Sequence, residues 1–192
     1  MLPANFPVVL DACVMYPAAL RDTLLRAAER DLYTVHWSEH ILEELRRNLI
    51  ADGRMSEVQW AHLRAQLTIA FPSALVVGYE SLIASMANDV NDRHVTAAAV
   101  RSRAEVIVTA NLRHFPDAAL KPYACEAKSP DDFLLDLTSI SAKAMSTILR
   151  EQLTAISRKD PNATMDRLLQ TLTKLGAPGF VETMRAVLSA TE

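Results

Sequence analysis

The sequence predicts an α/β fold, a parallel sheet flanked by helices, with a small all-α region after it. Short apolar runs alternate with amphipathic helix patterns as far as about residue 137, which is the arrangement of strand–helix–strand units. Polar residues follow several of these runs directly, as they do at the carboxyl ends of parallel strands. From residue 138 onward only helix patterns remain. We therefore predict an α/β domain over residues 1–137 and a helical subdomain over residues 138–192.

The elements of the α/β domain follow one another in a regular order. Residues 6–10 form a short apolar run ending at Asp11, which is typical of a buried parallel strand. Ser38 and Ser56 each precede a helix pattern and are suitable N-caps. The other predicted strands are residues 34–37, 74–77, 106–108 and 123–127, and the helices are residues 17–30, 39–49, 57–71, 79–87, 95–100 and 116–120.

The C-terminal region is predicted to contain three amphipathic helices, over residues 140–156, 164–175 and 178–188. Before them, Ser129-Pro130-Asp131-Asp132 has the pattern of a helix start, with a serine cap and proline at the first position. We expect Asp131 and Asp132 to stabilise the N-terminus of that same helix, where the helix dipole favours negative charge.

Composition places few limits on function. Half of the 192 residues are apolar and the net charge is −3, which is ordinary for a globular protein. Residues 1–137 carry a net charge of −5 and residues 138–192 one of +2, which does not by itself predict a nucleic-acid binder. Cys13 and Cys125 have no metal or disulfide spacing, so we expect reduced thiols in a cytoplasmic protein. No apolar run approaches the ~20 residues of a membrane span, and the N-terminus lacks the basic start of a signal peptide.

Three carboxylates are predicted to meet at one edge of the sheet. Asp11 follows the first strand, Asp92 begins a helix, and Glu44 lies on the flank of an apolar helix stripe from which Glu43 points away. Asp89 belongs to the same polar run as Asp92, and Thr109 and Asn111 follow the predicted strand 106–108, so all three are expected near this edge. Oxygen ligands without a histidine or cysteine cluster suit magnesium or manganese, which can activate water for phosphodiester hydrolysis. For each acid taken alone, the alternatives are a loop or capping role for Asp11 and a solvated surface position for Glu44.

Four segments in this order resemble the PIN-domain family of metal-dependent ribonucleases, which includes the VapC-type toxins of bacterial toxin–antitoxin pairs. They are VVLDACVMYP, WSEHILEELRRNL, NDVNDRHVTAAAV and VIVTANLRHFP. The last of these, with SPDDFLLDL, is most similar to the subgroup that has a C-terminal helical extension. The resemblance implies a PIN-like (Rossmann-like) fold and an endoribonuclease that uses Mg²⁺ or Mn²⁺.

The resemblance also implies roles for single residues. Asp11, Glu44 and Asp92 fall on the metal-binding acids of the family, and Asn111 stands at the fourth, usually acidic, position. An amide oxygen there can ligate magnesium but adds no charge, so a second metal ion stays open. Thr109 can hydrogen-bond an acid or a metal-bound water, and Asp89 either adds outer charge or is only a polar loop residue.

The implied partners are an RNA substrate, a cognate antitoxin and a second copy of the chain in a homodimer. Arg93, Arg113 and His114 follow the acidic positions closely and can hold RNA phosphates, although a plain surface role is the favoured alternative for each of them taken alone. For His114 a packed or solvent-facing ring is favoured over a catalytic base. Two other functions stay open. One is a catalytically inactive PIN-like binding module. The other is an aspartate-based phosphatase, which in its best-known form needs a second aspartate where Cys13 stands.

Overall fold

Parallel strands form the centre of the molecule in the computed structural model, which describes residues 6–190. Within these residues the sheet has five strands in the order β3-β2-β1-β4-β5, all parallel. The strands are β1 (Pro7–Leu10), β2 (Thr34–Ser38), β3 (Leu75–Val76), β4 (Val106–Val108) and β5 (Glu126–Lys128). The α/β class predicted from the sequence is confirmed.

The order of the strands creates a crevice between β1 and β4. The chain proceeds from β1 outward to β2 and β3, then returns to the other side of β1 to form β4. Ligands of open α/β sheets bind where the order reverses in this way, outside the carboxyl ends of the strands. Leu10 is in register with Val108, so Asp11 and Thr109 are the first residues beyond the two strand ends.

Both faces of the central strands are covered. Val8, Val9 and Leu10 of β1 are fully buried, as are all three residues of β4, which explains why these strands are uninterrupted apolar runs. The helices of this part of the chain are α1 (Ala12–Met15), α2 (Ala18–Glu29), α3 (Glu39–Ala51), α4 (Glu57–Ala70), α5 (Arg93–Ser102) and α6 (Asp117–Leu120). Helix α5 packs against β1, β2 and β4 and so carries its N-terminus to the edge of the sheet.

Serine caps start the helices where the sequence predicts them. The Oγ of Ser38 accepts a hydrogen bond of 3.3 Å from the backbone N–H of Ile41, so β2 passes into α3 without a loop. Ser56 and Gln59 form a reciprocal capping box at the start of α4. The direct passage from β2 to α3 is what fixes the position of α3, and therefore of Glu44, relative to the sheet.

Two predicted elements differ from those observed. Residues 79–87 were expected to form a helix, and the observed element is a 3₁₀ helix over Glu80–Ser85. The last strand was expected over residues 123–127 and instead occupies Glu126–Lys128. It begins later because Lys121–Tyr123 form a 3₁₀ turn that ends at Ala124 in the left-handed region, with φ 53°.

The C-terminal region consists of helices, as predicted, and the helix start predicted at Ser129-Pro130 is confirmed, but this helix continues into the one predicted from residue 140. The helices are α7 (Pro130–Ser157), α8 (Met165–Lys174) and α9 (Pro178–Ser189). Helix α7 is interrupted at Ser141, whose φ of −156° and ψ of 90° are not helical. The predicted start at residue 140 therefore falls at this interruption. Dividing the chain into domains at residues 137 and 138 stays a prediction.

One hydrophobic core extends from the sheet into the C-terminal helices. Phe133 of α7 makes edge-on aromatic contacts with Phe6 and Tyr33, at centroid distances of 6.2 and 5.1 Å. Further along α7, the buried Gln152 donates from Nε2 to the Ala19 carbonyl of α2 at 2.8 Å and accepts from the Thr23 hydroxyl, also at 2.8 Å. The helical region is thus joined to α2 by both apolar and polar contacts.

Asp131 has a second role beyond the one expected. Its carboxylate accepts hydrogen bonds from the backbone N–H groups of Gly179 (3.0 Å) and Phe180 (2.8 Å), at the start of α9. It therefore caps the last helix while also lying in the first turn of α7, as predicted. Ser129 caps α7 by accepting from the Asp132 N–H at 3.1 Å. Across residues 6–190 no helix has the length and apolar character needed to cross a membrane.

Candidate metal centre

Asp11 lies directly after β1, at the point where the strand order reverses between β1 and β4, and is only 2% exposed. Its Oδ2 accepts hydrogen bonds from the Thr109 hydroxyl at 2.7 Å and from the Cys13 thiol at 3.1 Å. The same hydroxyl oxygen accepts from the Asn111 backbone N–H at 3.0 Å, which leaves its proton for Asp11. Thr109, directly after β4, thus fixes the orientation of Oδ2 of Asp11.

The surroundings of Asp11 disfavour its negative charge. Burial raises the pKa of its carboxyl above the ordinary value, and the nearby charges of Glu44 and Asp92 raise it further. The hydrogen bonds from Thr109 and Cys13 oppose this. Within residues 6–190 no lysine, arginine or histidine forms an ion pair with Asp11. A buried carboxylate repelled by two others, with only neutral donors beside it, fits a site for a cation.

Glu44 approaches this centre from α3. Its side chain is 33% exposed, and its Oε2 lies 3.6 Å from Nε2 of His94 on α5. The contact with His94 lowers the pKa of Glu44 more than partial burial raises it, and Arg47 lowers it further. The neighbouring Glu43 is 55% exposed and pairs with Arg46 at 2.7 Å instead. The two adjacent glutamates therefore have separate surroundings, one facing α5 and the other facing solvent.

Asp92 precedes α5, and its side chain is 15% exposed. Its Oδ2 lies 2.9 Å from Nδ1 of His114, and the His114 carbonyl accepts from the Asp89 N–H at 3.2 Å. These contacts join the loop before α5 to the loop after β4. Asp89, Asp92 and His114 each offer one ligand atom, and the three atoms lie within 4.8 Å of one another. This spacing is compatible with a metal ion.

The remaining predicted residues lie at the start of α5 and in the segment after β4, where Leu112–His114 form a 3₁₀ helix. Asn111 is half-buried, and its carbonyl accepts from the His114 N–H at 2.8 Å. Arg93 donates from Nε to the Asn88 carbonyl at 3.3 Å, and Arg113 donates from Nε to Nε2 of His114 at 3.1 Å. Their expected contact with RNA phosphates stays a prediction.

Sequence reasoning missed three residues at the centre: His94 beside Glu44, Cys13 beside Asp11, and Arg47 near Glu44. His94 follows Asp92 by two residues, so its place at the start of the same helix was a usable signal. Its contact with Glu44 could not be predicted from the sequence, because that contact depends on how α3 and α5 pack. Burial raises the pKa of the Cys13 thiol to about 12, which makes Cys13 a neutral donor to Asp11 rather than a thiolate ligand.

The donor set decides which cations suit the site. Asp11, Glu44 and Asp92 carry carboxylate oxygens, and oxygen ligands favour hard divalent cations such as Mg²⁺ and Mn²⁺. Of these three acids, only Asp92 belongs to the group of ligand atoms within 4.8 Å of one another. The imidazole of His114 lies beside Asp89 and Asp92, and a nitrogen ligand there would favour transition metals over magnesium. The residues present therefore fit a divalent cation without selecting a single element.

Comparison with known proteins agrees with this geometry. A family model described as "PIN domain" matches residues 7–113, more than half of the chain, and one described as "VapC50 C-terminal domain" matches residues 130–186. The chain is 46% identical over 113 residues to a Mycobacterium tuberculosis (strain ATCC 25618 / H37Rv) protein named "Putative ribonuclease VapC50".

That alignment covers 59% of this chain and 66% of the relative, just under two thirds of its length. No solved structure matches the chain significantly. The PIN-domain match includes β1 and β4 as well as Asp11, Glu44 and Asp92. By the match of its sequence, the chain belongs to the PIN-domain family, and its residues 130–186 match the VapC50 C-terminal domain.

Proposed function

We propose that this protein is a divalent-metal-dependent endoribonuclease that hydrolyses RNA phosphodiester bonds. The observation that carries the proposal is the position of Asp11. It is buried where the strand order reverses, its carboxylate is hydrogen-bonded within residues 6–190 only by neutral groups, and Glu44 and Asp92 repel it. Maintaining such a cluster without a cation is energetically unfavourable. The PIN-domain match and the relative named as a putative ribonuclease support the same chemistry.

Asp11, Glu44 and Asp92 would hold the cation, with Asn111 as a neutral oxygen ligand at the exit of β4. A bound Mg²⁺ or Mn²⁺ supplies positive charge for the phosphodiester and lowers the pKa of water. Thr109 keeps Asp11 in one orientation by donating to Oδ2. His94 provides the corresponding contact for Glu44 from α5. Asp89 adds negative charge at the outer edge, where its Oδ1 is occupied by the Asn91 N–H.

Three arginines are suitable for holding the RNA backbone beside this centre. Arg47 acts electrostatically on Glu44, Arg93 follows Asp92 directly, and Arg113 contacts His114. In the part of the chain that the structure describes, none of the three forms an ion pair with a carboxylate. Their guanidinium groups can therefore take phosphate oxygens, and His114 lies among them. Phosphate contacts of this kind give binding without base specificity.

The biological role that we propose is that of a cytoplasmic toxin restrained by a cognate antitoxin, acting as a monomer or a homodimer. The resemblance to VapC-type toxins and the match of residues 130–186 to the VapC50 C-terminal domain support this role. An antitoxin segment that covers the acidic crevice would block access of RNA to Asp11 and Asp92.

RNA cleavage by the purified chain tests the proposal. The wild-type protein and Asp92→Asn are compared on the same RNA with Mn²⁺, with Mg²⁺ and with EDTA. We expect metal-dependent cleavage that the variant reduces by at least about 100-fold, the order of effect expected when a charge-stabilising group of an active site is removed. Equal cleavage by both proteins would contradict the assignment of the site. Metal binding without cleavage of any RNA would instead support an inactive binding module.

A further inference from the structure

The ring of His114 is hydrogen-bonded at both nitrogens. Nδ1 lies 2.9 Å from Oδ2 of Asp92, and Nε2 accepts the Nε–H of Arg113 at 3.1 Å. An arginine guanidinium can only donate, so Nε2 must carry a lone pair. A neutral imidazole has a single N–H, which therefore resides on Nδ1 and points to Asp92. The contacts thus specify one tautomer of His114.

We infer that His114 is a positioning residue that orients the Asp92 carboxylate, with its tautomer set by Arg113. Asp92 is oriented through Oδ2, and Oδ1 is the oxygen that we assign to the cation. The catalytic consequence of this arrangement rests on the proposed function, whereas the tautomer does not. His114 is accordingly assigned neither as a metal ligand nor as a general base.

The backbone of His114 makes the ring a rigid support. Its N–H donates to the Asn111 carbonyl at 2.8 Å, and its carbonyl accepts from Asp89 at 3.2 Å. The residue is thereby fixed to the loop after β4 and to the loop before α5. Because Asp92 lies on the second of these loops, the ring and the carboxylate that it contacts are held by one connected set of hydrogen bonds. Such outer contacts orient ligating carboxylates in metal sites.

The competing interpretation is that His114 ligates a metal together with Asp89 and Asp92, whose ligand atoms lie within 4.8 Å. Ligation through Nδ1 would require a lone pair on that atom, so the neutral ring would carry its proton on Nε2. The Nε–H of Arg113 would then face another N–H at a separation of 3.1 Å. This arrangement is repulsive, so the observed donor pattern favours positioning over ligation.

A long-range ¹H–¹⁵N spectrum of the imidazole groups tests the tautomer directly. The uniformly ¹⁵N-labelled chain is measured in EDTA at about pH 8.5, where ordinary imidazoles are neutral, and His114→Gln identifies the signal among the five histidines. We expect the Nδ1–H pattern for His114, and we expect Arg113→Ala to shift the signal toward Nε2–H. An Nε2–H pattern in the wild-type protein would overturn the inference, whether or not the protein cleaves RNA.

A matched pair of variants tests the positioning role. The amide nitrogen of asparagine occupies nearly the place of the histidine Nδ1, whereas that of glutamine reaches the place of Nε2. We therefore expect His114→Asn to retain Mn²⁺ affinity within about threefold, and His114→Gln to weaken it by about 10–100-fold, the usual cost of losing an outer contact. Calorimetry with Mn²⁺ measures both affinities, and kcat for RNA cleavage is expected to follow the same order.

Equal losses of Mn²⁺ affinity in the two variants, with the fold intact, would contradict positioning through Nδ1. If the wild type binds Mn²⁺ but cleaves no RNA, the proposed function fails while this comparison still decides the role of His114.

Discussion

Replacing Asp11 with asparagine should stabilise the metal-free protein while weakening its metal binding. The carboxylate is 2% exposed, has only neutral hydrogen-bond donors and is repelled by Glu44 and Asp92. Asparagine keeps the shape and still accepts from Thr109, but it has no charge to desolvate. Removing an unfavourably buried charge is expected to raise the free energy of unfolding by about 1–2 kcal/mol. For a chain of 192 residues this corresponds to a rise in Tm of about 2–8 °C.

The sign of the pH dependence follows from the raised pKa of Asp11. Because the folded state binds this proton more tightly than the unfolded chain, the ionised group costs stability at pH values above its folded pKa. That cost is relieved as the pH falls through the folded pKa toward the ordinary value of 3.8. In the metal-free protein, Asp11→Asn should therefore be more stable than the wild type at neutral pH, and this difference in stability should shrink on acidification.

Thermal melts in EDTA and in Mn²⁺ are the assay. In EDTA the variant should melt higher. At Mn²⁺ concentrations about 100-fold above the Kd, binding adds about 2.7 kcal/mol to the wild type, so the order should reverse. Asp117→Asn is the control, because its side chain is 83% exposed and a change there should stay within about 0.5 kcal/mol. A lower Tm for Asp11→Asn in EDTA would refute the reasoning, since it would mean that the charge of Asp11 is compensated within the protein.

Three further predictions concern other parts of the molecule. Glu44→Gln should lower RNA cleavage by at least about 100-fold, whereas Glu43→Gln, which loses only the pair with Arg46, should stay within about threefold in the same assay. Gly179→Ala should lower stability by about 1–3 kcal/mol in denaturant unfolding, because its Cβ would lie 2.9 Å from Oδ2 of Asp131. Adding Asp131→Ala should make Gly179→Ala much less costly, and strict additivity of the two changes would contradict the clash. Arg47→Ala should raise KM more than it lowers kcat. It should also reduce the slope of log K against log salt concentration for RNA binding by the amount expected from losing about one phosphate contact. An unchanged slope would mean that Arg47 does not contact the RNA phosphates.

Local patterns predicted the frame of the site. Asp11 was located because a buried strand is an uninterrupted apolar run whose end is marked by the first charged residue. Ser38 was recognised as a helix cap, and the 3.6-residue period then distinguished Glu44 from Glu43. These features depend only on neighbours in sequence, so a single chain reveals them.

Contacts between elements were not predictable in the same way. The partners of Glu44 and Asp92 are histidines on another helix and another loop, and their positions depend on how α5 packs against the sheet. Asp131 was assigned only to its own helix because the N-terminus of α9, 48 residues away, gave no signal of proximity. The late start of β5 likewise follows from the left-handed conformation of Ala124, which an alanine seldom adopts.

The most direct test of the account is the position of manganese in a crystal of this protein, measured by anomalous diffraction after soaking in Mn²⁺. We expect a peak within about 2–2.5 Å of oxygens from Asp11, Glu44 and Asp92, the range typical of hard divalent cations. The Nδ1 of His114 should stay hydrogen-bonded to Asp92 and outside the coordination shell. A peak held by Asp89, Asp92 and His114, with Asp11 left out, would contradict the proposed centre.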